Sequence, residues 1–167
     1  VAGLTLEEQE PVTMTRIIHA TTDGHYQSAR ELFIQYADSL GFDLEFQGFS
    51  RELAGLPGDY EAPGGCILLA EGANGPAGCV ALRPLKNKTC EMKRLFVKPA
   101  YQGCGVGRAL AEAVIREARN LGYQKMRLDT IESMKAAQGL YFSLGFKTIE
   151  AYCHNPLDNP SFMELAL

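Results

Sequence analysis

Glycine recurs at alternate positions in the run Gln102-Gly103-Cys104-Gly105-Val106-Gly107-Arg108, shortly after the apolar residues Leu95, Phe96 and Val97. Beyond Pro99 the apolar period becomes helical: Val106, Leu110, Ala113, Val114, Ala118 and Leu121 fall on one face. The glycines therefore sit where a strand gives way to a helix. A helix start leaves backbone N–H groups unpaired and carries the positive end of the macrodipole. Glycine lets that backbone approach a phosphate with no Cβ between them, so the loop reads as an anion site. Glycines also make tight turns without any ligand, but the basic residues nearby favour the anion. A Walker loop would need Gly-Lys-Ser or Gly-Lys-Thr, whereas Gly107 is followed by Arg108-Ala109. The G-x-G-x-G spacing also departs from the G-x-G-x-x-G of dinucleotide sites, which follow the first strand of a parallel sheet. Cys104 at the helix start invites a nucleophile reading, since such positions stabilise thiolates in general. No histidine lies near it in sequence.

The elements that must position this loop can be read from the periodicity. Residues 15–20 suit a short strand. Thr22 and Asp23 supply N-cap chemistry for a helix bearing Ala29, Leu32, Phe33, Tyr36 and Leu40, which Gly41 stops. Residues 41–64 are rich in glycine, proline and aromatics, with at most one short helix at 50–54. Apolar runs at 66–70 and 79–82 flank Asn74-Gly75-Pro76 and predict an antiparallel hairpin. A third strand covers 90–97. The glycine loop and its helix follow, with Glu112 placed to pair with Arg116 and Gly122 as the stop. Met126, Leu128 and Thr130 alternate as a strand, Ser133 can cap a helix running to about Leu144, and 146–152 and 162–167 are closing strands. Antiparallel strands followed by one parallel strand–helix–strand unit make a mixed α/β sheet with helices on its faces.

Composition excludes several classes. With 167 residues, 46% of them hydrophobic and 22% charged, the chain is expected to form one domain at 14–167, with 1–13 a leader or remnant. No apolar run approaches a membrane span, and no signal-peptide pattern precedes Met14. Five cysteines without a C-x-x-C pair and three scattered histidines make neither a disulfide framework nor a metal cluster. A cytoplasmic protein without metal is expected. The net charge of −4 argues against nucleic acid. Its distribution is uneven, however. Residues 38–61 hold Asp38, Asp43, Glu45, Glu52, Asp59 and Glu61 against Arg51 alone, while 83–127 hold eleven Lys and Arg against Glu91, Glu112 and Glu117. The basic half would suit a phosphorylated cofactor and the acidic half a cation.

At the glycine loop the chain resembles the GNAT superfamily of N-acetyltransferases, whose cofactor loop follows [Gln/Arg]-x-x-Gly-x-[Gly/Ala]. Gln102, Gly105 and Gly107 fill that pattern, and Leu95, Val97 and Pro99 match what precedes it. A second block, Ala137-Gln138-Gly139-Leu140-Tyr141-Phe142-Ser143-Leu144-Gly145-Phe146, follows the family's A-x-x-L-Y-x-x-x-G-F. The clear match spans 79–149. Met134 departs from the asparagine that many members carry three residues before the alanine.

The resemblance implies a mostly antiparallel central sheet of six to seven strands, splayed after the strand at 90–97, with acetyl-coenzyme A in the gap. The backbone of Leu95, Phe96 and Val97 would pair with the pantetheine arm and supply an oxyanion N–H. Gln102, Gly103, Cys104, Gly105, Val106, Gly107 and Arg108 would hold the pyrophosphate, with Ala137 also at the cofactor. Tyr141 matches the family's proton donor to the departing thiolate, although it could instead be core packing. Glu91 and Asp129 occupy positions where members carry the general base. Each could equally be an ordinary ion pair, with Lys93 or Arg127 next in alternation. The expected reaction is acetyl transfer to a primary amine by direct attack in a ternary complex. The alternative is a non-catalytic acyl-coenzyme A-binding module. Phe42, Phe46, Phe49, Tyr60 and Tyr152 lie among or near the acidic residues, which favours a small cationic amine, or a protein amino group, as acceptor. A homodimer is compatible with the sequence. No nucleic-acid or membrane partner is expected.

Overall fold

The computed structural model describes residues 16–167. The leader expected at 1–13 lies outside the described residues. Seven strands form one sheet in the order β1-β2-β3-β4-β5-β7-β6. They are β1 (Arg16–His19), β2 (Cys66–Gly72), β3 (Gly75–Pro84), β4 (Thr89–Val97), β5 (Lys125–Ile131), β6 (Lys147–Ile149) and β7 (Pro160–Ala166). Every neighbouring pair is antiparallel except β4–β5. The helices are α1 (Asp23–Leu40), α2 (Phe49–Ala54), α3 (Val106–Asn120) and α4 (Lys135–Ser143).

Two cores sandwich the sheet. On one face α3 buries Val106, Leu110, Ala111, Val114 and Ala118 against Leu68, Val80, Leu82 and Met126, with Tyr141 and Phe146 beside them. On the other, Ala29, Leu32 and Phe33 of α1 and Phe49 of α2 meet Ile67, Leu69, Cys79 and Ala81. The alternation along β5 assigns its faces: Met126, Leu128 and Thr130 are buried toward the α3/α4 core, which puts Arg127 and Asp129 on the α1/α2 side.

Local signals mostly held. Thr22 Oγ1 accepts the His25 N–H at 3.1 Å, and Gly41 ends α1 at φ 73°. The hairpin forms, but its strands extend to Gly72 and from Gly75, so its turn is Ala73-Asn74. Glu112 pairs with Arg108 at 3.7 Å rather than with Arg116, because Arg108 lies one turn back and is held by Ser143 of α4. Leu121 is 38% exposed, outside the helical face drawn from the sequence, since α3 has already ended. Ser133 does not cap α4. The N-cap is Met134, with no side-chain bond. The first closing strand stops at Ile149, and Tyr152 instead reaches Glu91.

Candidate functional site

The site originates where two parallel strands part. β4 and β5 pair only at Thr89↔Lys125, Cys90↔Met126 and Glu91↔Arg127, yet β4 continues to Val97 and β5 to Ile131. Beyond Glu91 one edge of β4 still pairs with β3, through Cys79↔Phe96 and Gly78↔Val97. Its other edge faces the gap with no strand of the described residues against it. A bulge shapes this edge: Cys79 opposes Phe96 and Ala81 opposes Lys93, so three steps on β4 answer two on β3. Within it Arg94 adopts φ 60°, uncommon for a residue with a side chain. The cleft is lined by Lys93, Arg94 and Leu95 of β4, Asp129 and Thr130 of β5, Tyr36, Phe42 and Gln47 from the α1/α2 side, and Met134, Tyr141 and Asn155.

A glycine loop opening α3 follows the end of β4. Gly103 and Gly105 hold φ 78° and 83°, the left-handed conformation that makes glycine the suitable residue there. Gly105 is the N-cap of α3 and offers no side-chain cap, and the first helical bond runs from Ala109 N to Gly105 O. The N–H groups of Val106, Gly107 and Arg108 therefore have no helical partner among the described residues, the arrangement that receives anions at helix starts in general. A Cβ on Gly107 would come to 3.6 Å from Val97, an ordinary contact, so this glycine is not demanded by packing. Gln102 Nε2 donates to Val97 O at 3.0 Å and ties the loop to the end of β4. Val106 is buried beneath the loop, while Cys104 is exposed, its thiol 3.8 Å from Gln102 O. Among the described residues no base is hydrogen-bonded to the Cys104 thiol. Arg108 Nη2 donates to Ser143 Oγ at 2.6 Å. Ala137, on α4, is half-buried against the α3 core. A free strand edge and an uncapped helix start beside glycines fit an extended amide arm ending in phosphates.

Tyr141 is buried and lines the cleft, its ring 5.7 Å from that of Phe146. It is thus both packed and positioned. Burial pushes its phenol above the ordinary value of 10.0, aided by Tyr36 and the Asp129 charge, so the hydroxyl stays protonated as a donor.

The two carboxylates differ. Glu91 is 2% exposed and does not line the cleft. Arg83 Nε donates to its Oε1 at 2.7 Å and the Tyr152 hydroxyl to its Oε2 at 2.6 Å, with Lys93 Nζ 3.9 Å away. Asp129 lines the cleft and accepts from Asn155 Nδ2 at 3.1 Å. Its sequence neighbour Arg127 turns away to Glu164 at 2.8 Å.

None of the acidic residues of 38–61 lines this cleft, which corrects the expectation of an acidic acceptor wall. Four of the six carboxylates are engaged elsewhere. Glu52 receives Arg94 and the Tyr60 hydroxyl, and Asp59 lies 3.7 Å from Arg83. Asp43 accepts the Glu45 N–H, and Glu45 accepts from Ser50 N, both short local contacts. Of the aromatics, Phe49 and Tyr60 are core, Phe46 packs partly buried against that core and Tyr152 is bonded to Glu91, leaving Phe42 at the cleft. Sequence reading missed Lys93, Thr130, Gln47 and Asn155 as lining residues. Only the alternation of Lys93 with Glu91 on one strand face could have hinted at the first. Among the described residues no cluster of His, Cys, Asp and Glu could hold a metal, and no helix is long and apolar enough to cross a membrane.

The splayed sheet with its uncapped α3 defines an acyl-coenzyme A-type transferase fold, and comparisons with known proteins agree. A solved acetyltransferase of the GNAT family from Staphylococcus aureus Mu50 superposes with TM-score 0.76 at 21% identity, covering 91% of this chain and 98% of that one. The PaiA N-acetyltransferase of Thermoplasma acidophilum, solved in complex with coenzyme A, gives TM-score 0.70 at 16% identity over 92% and 99%. At such identities these establish the fold. The model of the acetyltransferase (GNAT) family matches residues 23–146. An uncharacterised N-acetyltransferase of Schizosaccharomyces pombe is 42% identical over 135 residues, 80% of this chain and 83% of its own length. The chain belongs to the GNAT acetyltransferase family, whose chemistry is acyl transfer from an acyl-coenzyme A to amines.

Proposed function

We propose that the chain transfers an acetyl group from acetyl-coenzyme A to a small primary amine by direct attack within a ternary complex. The observation that carries this reading is the parting of β4 and β5 after Glu91↔Arg127, which leaves the β4 edge free with Tyr141 in the cleft, while the far end of that edge at Val97 lies beside the uncapped start of α3. The thioester supplies an activated acetyl carbonyl. The edge formed by Leu95, Phe96 and Val97 aligns the pantetheine arm and offers an N–H to the carbonyl oxygen as it gains charge. The loop from Gln102 to Arg108 holds the pyrophosphate. The amine enters from the α1/α2 side, where Asp129 draws its ammonium and accepts a proton directly or through water. Glu91, held by Arg83 and Tyr152, supports that wall. As the new C–N bond forms and the C–S bond breaks, Tyr141 protonates the leaving thiolate.

The test is a thiol-release assay across an amine panel, paired with coenzyme A binding by calorimetry. Turnover of at least one amine is expected. Binding without any acetylation would make the chain a coenzyme A-binding module, and absence of binding would overturn both readings.

A further inference from the structure

We propose that the acceptor is a small amino acid, carrying a carboxylate in the same molecule as its primary amine, with Lys93 receiving the carboxylate and Asp129 the amine. The inference rests on the acyl-transfer reading above and narrows it.

Lys93 follows Glu91 on the α1/α2 face of β4, immediately before the bulge residue Arg94. Its side chain is only 7% exposed, yet it lines the cleft. An ammonium has three N–H donors to satisfy. Here Nζ reaches Gln47 Oε1 at 3.2 Å, and the nearest carboxylate oxygen, Glu91 Oε1, lies at 3.9 Å. That oxygen already accepts Arg83 Nε at 2.7 Å. The ammonium is therefore desolvated without a full set of acceptors, an arrangement that disfavours its charged form. Burial and the Arg94 charge accordingly hold the Lys93 pKa below its ordinary value. A carboxylate placed here would supply acceptor oxygens and opposite charge together.

The neighbouring cation does not offer the same service. Arg94 is occupied by Glu52 through two hydrogen bonds at 2.9 and 3.1 Å. Lys93 is thus the cation on this wall with no carboxylate in hydrogen-bonding range among the described residues. Asp129 stands on β5, across the parting strands, and its charge is felt at Lys93. Asn155 occupies Oδ2 of Asp129, while no side chain or backbone group of the described residues bonds Oδ1. One wall of the cleft is positive and the other negative. A simple amine answers Asp129 and leaves Lys93 short of acceptors, a polyamine adds repulsion from it, and an amino acid answers both.

The experiment compares kcat/KM for amino acids, for their methyl esters and amides, and for the corresponding decarboxylated amines, first on the unaltered protein. Esters and amides keep the amine and remove the negative charge, while decarboxylated amines restore the higher amine basicity, so amine pKa alone cannot produce the preference. We expect the acid to exceed all three counterparts at least tenfold, mainly through KM. In Lys93→Met the acid-to-ester ratio should collapse toward one, and Lys93→Arg should keep most of it. Equal or better turnover of the uncharged or decarboxylated counterparts overturns the inference while leaving acyl transfer intact. So does a Lys93→Met variant that loses acid and ester in equal proportion. Failure to acetylate any amine, with coenzyme A bound, overturns the acyl-transfer reading itself.

Discussion

Arg94 and Glu52 form a two-pronged ion pair: Nε donates to Oε2 at 2.9 Å and Nη2 to Oε1 at 3.1 Å, with the Arg94 side chain only 2% exposed. The guanidinium also lies over the ring of Phe49, 5.2 Å from its centroid, and Tyr60 donates to the same carboxylate. The pair links α2 to the bulge of β4, where Arg94 holds φ 60°. That backbone conformation costs on the order of 1–3 kcal/mol and persists only because its surroundings fix it. Glu52 thereby helps to set the free edge that follows at Leu95.

Removing one partner leaves a buried, unpaired charge. Glu52→Leu should therefore lower unfolding stability by about 3–5 kcal/mol in urea titrations. The double variant Glu52→Leu, Arg94→Met should recover a good part of that loss, since neither charge then remains buried. Additive losses would show that the pair is a surface-like contact of little worth.

Tyr141→Phe removes a proton donor and little volume. The expected result is a kcat lower by roughly 10²–10⁴-fold, the usual range for a lost acid–base group, with coenzyme A affinity nearly unchanged. Because burial raises the phenol above 10.0, it remains protonated throughout the range in which the amine loses its proton. The pH–rate profile of the unaltered protein should accordingly rise with pH and show no falling limb from this tyrosine below about 10. Full activity in the phenylalanine variant would reduce Tyr141 to packing against Phe146.

Gly105→Glu places a side chain and a negative charge at the N-cap of α3, at φ 83°. Left-handed backbone costs an ordinary residue about 1–2 kcal/mol, which a folded chain of this size should tolerate. Calorimetric coenzyme A binding should nevertheless disappear. Retained affinity would mean that the phosphates lie elsewhere.

Local features of the sequence were legible because their physics is local. The glycine loop, the stops at Gly41 and Gly122 and the apolar face of α3 each depend on residues within a turn or two. What escaped was long-range pairing. The acidic stretch looked like a cation site, but Glu52 is claimed by Arg94, 42 residues away, and Glu91 by Tyr152, 61 residues away. No periodicity announces such partners. Lys93 likewise looked like half of an ordinary ion pair, because its burial depends on how β4 bulges against β3 and on Gln47 arriving from another segment. Ser133 had the right chemistry for a cap, yet the β5–α4 connection makes Met134 the N-cap.

Thr130 carries the last prediction. It is 4% exposed, lines the cleft from the face that also carries Tyr141, and its Oγ1 is the buried side-chain polar atom without a hydrogen-bond partner among the described residues. Leaving such a hydroxyl unsatisfied costs roughly 1–3 kcal/mol. Thr130→Val keeps the shape and removes the orphaned group. If the hydroxyl serves only packing, the variant should gain stability and keep its kinetics. Under the proposed function, its place in the cleft makes it a partner for the amide-bearing arm of the cosubstrate. We therefore expect unfolding stability of the unliganded protein to hold or rise by about 1 kcal/mol while the KM for acetyl-coenzyme A increases several-fold, with KM for the amine little altered. Unchanged acetyl-coenzyme A kinetics together with higher stability would show that Thr130 makes no contact with the arm.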